Sequence, residues 1–105
     1  MPRVGFCFKV KKHLIPEYKE RHKAVWPEML QALRETGWHN YSLFMREDGL
    51  IFGYLETDDF QKARDEMAKR EINLRWQAEM GPYFENIEGR PDQNMAELEE
   101  YFHLD

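Results

Sequence analysis

An α+β fold, one antiparallel sheet with its helices on one face, is what three features of the sequence predict. Residues 3–11 alternate, with Val4, Phe6, Phe8 and Val10 on one side and Arg3, Gly5, Cys7, Lys9 and Lys11 on the other, the period of a half-buried strand. Two further β-like runs, 38–47 and 50–57, are separated by Asp48-Gly49, a strong signal for a tight antiparallel hairpin. Apolar residues at helical spacing come before and after that hairpin. At 105 residues the chain has the length of one domain.

The first helical interval begins at Pro16, which suits an opening helical turn, and carries Tyr18, His22, Val25, Met29, Leu30 and Leu33 at helical spacing until Gly37 ends it. Pro27 lies inside this interval, where a proline removes one helical hydrogen bond and bends or breaks the helix just past Trp26. After the hairpin, Asp58 and Asp59 are capping residues for a second helical region. Its two stripes, Phe60, Ala63 and Met67 followed by Ile72, Trp76 and Met80, read as two helical pieces. Residues 81–94, with two prolines, two glycines and two asparagines, read as an extended loop, and the alternation over 98–104 reads as a terminal strand.

The resulting order of strand, helix, strand, strand, helix, strand is ferredoxin-like. Its hairpin has Tyr41, Leu43, Met45, Ile51 and Leu55 on one face and Phe44, Phe52 and Tyr54 on the other, so both faces are too apolar for water. A second copy of the chain, sheet against sheet, is the simplest cover, and a homodimer is expected.

Composition narrows the function. With 42% hydrophobic and 33% charged residues the chain is an ordinary folding sequence. A net charge of −5, from 15 basic and 20 acidic residues, gives no field that draws nucleic acid or an anionic membrane. Cys7 is alone, so no intrachain disulfide or cysteine-based metal cluster is expected, and a reducing cytoplasm fits best. No signal core and no run of about 18 apolar residues is present, so neither export nor a membrane span is expected. His13, His22, His39 and His103 lack the paired spacings of zinc enzymes, and no metal is expected. Ser42 and Cys7 lie in strand-like runs without a nucleophile elbow, and the dispersed glycines form no nucleotide-binding loop.

What remains is proton chemistry. Tyr18 and His22 are four residues apart, which puts a phenol and an imidazole one above the other on a helix face. Imidazole both gives and takes a proton near neutrality. The same pair also reads as a chance feature of an amphipathic surface helix. Tyr41 and Trp76 read either as core residues or as one wall of a sugar site, their flat faces stacking on C–H groups and their polar tips bonding hydroxyls. Trp26 reads as packing beside Pro27.

Taken together, Tyr18-x-x-x-His22, Trp26-Pro27-Glu28, Gly37-Trp-His-Asn-Tyr41, Asn73-Leu-Arg-Trp76 with Met80, and a final Glu-x-x-Phe102 resemble the L-rhamnose mutarotase family over nearly the whole chain. The resemblance implies a dimeric α/β barrel and a cofactor-free epimerase that interconverts the α and β anomers of L-rhamnose. It implies His22 as the catalytic acid/base, with Tyr18, Tyr41 and Trp76 touching the sugar; for the ring-opening chemistry itself, His22 is expected to protonate the ring oxygen, with Tyr18 orienting the substrate or helping relay a proton. The family often has a second tryptophan directly after the first, where this chain has Gln77, whose amide is expected to bond a sugar hydroxyl instead. Two other uses of such a fold stand beside this one: a small-ligand sensor, and a haem-degrading or cofactor-free oxygenase.

Overall fold

A computed structural model describes residues 1–84, 91 and 94–105. Its elements are β1 (Arg3–Lys9), α1 (Ile15–His22), α2 (Pro27–Glu35), β2 (His39–Met45), β3 (Leu50–Glu56), α3 (Phe60–Ala68), α4 (Glu71–Met80) and β4 (Ala96–Leu98). The four strands make one antiparallel sheet in the order β2-β3-β1-β4. This is the α+β, ferredoxin-like arrangement the pattern predicts.

Alternation drives β1 and β3 together. Phe6 lies opposite Gly53, and both Phe6 and the flanking Ile51 and Leu55 are buried beneath the helices. Gly53 is required by that packing: a Cβ there would stand 2.2 Å from Phe6 Cζ. The hairpin closes at Asp48-Gly49, where Gly49 takes φ +96° and the Asp48 carboxylate accepts the Leu50 amide at 3.2 Å. Asp59 caps α3 by accepting the Lys62 amide at 3.0 Å, and Phe60, Ala63 and Met67 are its buried stripe.

The first helical interval is broken rather than bent. Pro27 is the first residue of α2, where the missing N–H has no helical partner to lose, and Trp26 is the N-cap. His39 and Tyr41, two apart in one strand, would share a face by simple alternation, but a bulge separates them. Register shifts between His39 and Ser42, with Asn40 at φ +48°, so the extra residue resets the alternation. His39 falls opposite Glu56, on the side of Tyr54 and Phe52, while Tyr41 turns toward the helices.

The terminal strand is also displaced. It comes at Ala96–Leu98, pairing with Cys7, Phe6 and Gly5, and not over 98–104. Continuing that register brings Glu100 beside Arg3, and the two side chains pair at 3.0 Å, but β1 begins at Arg3 and offers nothing beyond it. Tyr101, Phe102 and Leu104 consequently stay exposed. The loop expected over 81–94 opens with a single 3-10 turn, Gly81–Tyr83, and its residues 85–90 and 92–93 lie outside the described residues. No helix among the described residues is long and apolar enough to cross a membrane.

Candidate active site

Between the inner face of the sheet and the helices lies a cavity of about 320 Å³, at the small end of the range for small-molecule sites. Tyr18, His22, Tyr41, Trp76 and Gln77 all line it. The structure thus brings every one of the site residues drawn from the sequence to one place, although they come from α1, β2 and α4. The remaining wall is mostly apolar, with Phe8, Met29, Leu33, Met67 and Met80 among its residues.

Each polar group has a local reason for its position. Tyr18 and His22 are one turn apart on α1, with ring centroids 4.3 Å apart. His22 Nδ1 lies 3.0 Å from the main-chain oxygen of Tyr18, one turn earlier in α1. That oxygen can only accept, so Nδ1 carries the hydrogen and Nε2 is left for the cavity. Trp76 stands edge-on to the imidazole at 5.5 Å and 82° and is itself braced edge-on by Trp26 at 5.1 Å. Trp26 therefore supports the wall from behind, without lining it. Tyr18 is fixed from two further sides by Tyr83 and Phe84, at 5.7 and 5.6 Å. Tyr41 is held between Trp38 and Phe6.

Burial sets the protonation states. It lowers the His22 pKa from the usual 6.5; the bond to the Tyr18 carbonyl opposes this, and the nearby Arg21 charge adds to it. His22 is therefore a neutral imidazole at neutral pH, with its basic nitrogen available. Burial drives the Tyr18 phenol well above 10, with the neighbouring Tyr41 adding to the effect, and raises Tyr41 too. Both tyrosines are neutral hydroxyls that donate hydrogen bonds, not bases.

Two cavity groups were given no role from the sequence, although Asn73 stands in the motif that resembles the family. Asn73, 1% exposed, faces the site one turn before Gln77 and accepts its amide hydrogen at 3.0 Å. The i, i+4 spacing of the two amides was the available signal. Arg64 also reaches the lining and lies over the Phe60 ring at 5.4 Å. Among the described residues no three His, Cys, Asp or Glu side chains cluster as metal ligands would.

A largely apolar cavity on a ferredoxin-like sheet, with one neutral imidazole and two protonated phenols in its wall, defines a small-molecule site equipped for proton transfer. Comparison with known proteins gives the family. The family model described as L-rhamnose mutarotase matches residues 3–104. An L-rhamnose mutarotase of Oceanobacillus iheyensis is 37% identical over 107 residues, spanning 100% of both chains, and that of Bacillus subtilis is 43% identical over 91 residues, 85% of each. The crystal structure of L-rhamnose mutarotase from Formosa agariphila superposes with a TM-score of 0.83 at 29% identity, covering both chains completely. The chain belongs to the L-rhamnose mutarotase family.

Proposed function

We propose that this protein is a cofactor-free aldose mutarotase that interconverts the α and β anomers of L-rhamnose, with His22 as its catalytic acid/base. The observation that carries the reading is the imidazole in the wall of the cavity, tied by Nδ1 to its own helix and so left with Nε2 for a bound sugar. Full-length likeness to the L-rhamnose mutarotases supports the substrate.

The chemistry needs only protons. Neutral His22 takes the proton of the anomeric hydroxyl at Nε2; the O–H pair forms the C1 carbonyl while the C1–ring-oxygen pair leaves to the ring oxygen. The imidazolium then gives that oxygen the proton, opening the ring to an aldehyde. Rotation about C1–C2 and the reverse sequence close it on the other face. A lowered pKa favours this order, because the base form is the resting state. Tyr18 and Tyr41, both un-ionised, donate hydrogen bonds to sugar oxygens, Trp76 stacks on the C–H face, and Gln77 bonds a hydroxyl. The methionines and Leu33 shelter the C6 methyl group, worth roughly 0.8 kcal/mol for a buried carbon, and reject an added hydroxyl by roughly 100-fold at most.

A homodimer in the cytoplasm is part of the same proposal. The outer sheet face carries Phe44, 60% exposed, Phe52, 42% exposed, and Leu98, and a second copy is the simplest cover for them. The lone Cys7 is in keeping with a reducing compartment.

Anomer exchange of L-rhamnose measured by NMR tests the reading. Wild type accelerates exchange, and His22→Ala loses about 10²- to 10⁴-fold, the usual contribution of one general acid/base. Unaltered exchange in the variant rejects the role of His22, and no acceleration by wild type rejects the mutarotase.

A further inference from the structure

We propose that Arg21 and Glu79 are positioning residues for the catalytic imidazole: their charge pair ties α1 to α4 and so sets where His22 stands against Trp76. The inference rests on the mutarotase reading and adds to it two residues that line no part of the cavity.

Three observations carry it. The helix that bears His22 has little of its own to hold it: α1 is eight residues long and Tyr18 is its one buried residue. A single 3-10 turn, Lys12–Leu14, precedes it and the non-helical residues 23–26 follow. A helix this short is not stable alone in water, so contacts with its neighbours decide its place. Two of those contacts are parallel rungs to the same helix. At the cavity wall the His22 imidazole meets the Trp76 ring edge-on at 5.5 Å. One residue earlier on α1 and three residues later on α4, the Arg21 guanidinium donates to the Glu79 carboxylate. A third tie lies beside them, since Tyr83, just past α4 and packed on Tyr18, faces the Glu17 carboxylate, one turn before Arg21.

The Arg21 and Glu79 side chains are 39% and 47% exposed, and a pair so placed adds little to overall stability. Its effect falls on geometry instead. A displacement of about 1 Å between reacting groups costs roughly 100-fold in rate, so a contact too weak to hold the fold together is still able to control proton transfer. L-Rhamnose is uncharged, and the pair offers it no Coulombic attraction.

The experiment measures kcat, KM and the acid limb of anomer exchange on L-rhamnose, with thermal melting, in wild type, Arg21→Gln, Arg21→Lys, Glu79→Gln and the charge-exchanged double variant Arg21→Glu with Glu79→Arg. Arg21→Gln and Glu79→Gln should melt near the wild-type temperature and lose about 3- to 30-fold in kcat on the neutral plateau, short of the loss from a full ångström, with a smaller change in KM. Arg21→Lys keeps the cation and should retain more kcat than Arg21→Gln. The exchanged pair should recover kcat to within about threefold of wild type, the mark of coupled residues.

The acid limb separates positioning from direct action of the Arg21 charge on the imidazole, whose pKa that charge lowers. The limb should move up in Arg21→Gln and further up in the exchanged pair, but not in Glu79→Gln, which keeps Arg21. The other titratable or charged groups of the cavity wall, Tyr18, Tyr41 and Arg64, are the same in all of these variants. A rate restored while the limb stays displaced shows that the pair acts by holding α1. An unchanged kcat in Glu79→Gln, an exchanged pair no faster than the single variants, an Arg21→Lys no better than Arg21→Gln, or losses confined to KM each overturn the proposal. Failure of wild type to accelerate exchange at all removes the mutarotase reading and this proposal with it, whereas an active wild type with a fully active Glu79→Gln removes this proposal alone.

Discussion

Replacing Trp76 by alanine should move the pH dependence of the enzyme, not only weaken it. His22 has a lowered pKa chiefly because it is buried, and the Trp76 ring, edge-on at 5.5 Å, is one of the groups keeping water from it. Folding therefore favours the neutral imidazole. Below pH 6.5 the unfolded chain takes up a proton that the folded chain resists, so this contribution to stability is present above 6.5 and is lost as pH falls through the folded pKa. Activity follows the same group: kcat/KM should be flat near neutrality and fall tenfold per pH unit once the imidazole is protonated, with an apparent pKa below 6.5. Opening the wall in Trp76→Ala admits water, reduces the desolvation and carries that acid limb up toward 6.5. The truncation should also lower stability by about 3–5 kcal/mol, as for other buried large-to-small changes. Against a typical total of about 5–15 kcal/mol, a folded but weakened protein is expected. Lost stacking on the sugar adds an increase in KM of up to about tenfold. The assay is anomer exchange followed from pH 4.5 to 8.5, with thermal melting at each pH to confirm folding. An acid limb at the same pH in wild type and Trp76→Ala would refute the argument that burial by this wall tunes His22.

Two further outcomes follow from the sheet. Gly53→Ala drives a Cβ to within 2.2 Å of Phe6 Cζ in the core and should cost about 1–3 kcal/mol, the usual penalty of overpacking, read as a lower midpoint in urea; a midpoint equal to wild type would contradict the packing. Phe44→Glu with Phe52→Glu places two carboxylates on the outer face and should shift the sedimenting species from dimer to monomer, while wild-type protein sedimenting as a monomer would reject the dimer outright.

The parts of the molecule that were legible in the sequence are those governed by local periodicity. Alternation in β1, the Asp48-Gly49 turn, the Asp59 cap and the two apolar stripes of α3 and α4 each act over a few residues, and each is found where its pattern lies. The departures occur where one residue resets a pattern or where pairing runs out. The bulge at Asn40 reverses the side on which His39 falls, because a single extra residue shifts every later side chain by one face, and nothing in the run itself announces it. The last strand is displaced because alternation says which residues share a face but not how much neighbouring strand remains to pair with them, and β1 ends at Arg3. The same limit explains the site. His22 and Tyr18 were visible as a pair because one helix turn joins them, whereas their meeting with Tyr41 and Trp76 depends on how α1 and α4 cross the sheet, a long-range packing result that entered the sequence reading only through resemblance to a family. Asn73 shows the remaining gap. Its spacing to Gln77 is plain in the sequence, but an asparagine in a helix is usually a solvated residue, and only the closure of α4 over the cavity turns that ordinary polar side chain into a buried partner for the amide beside it.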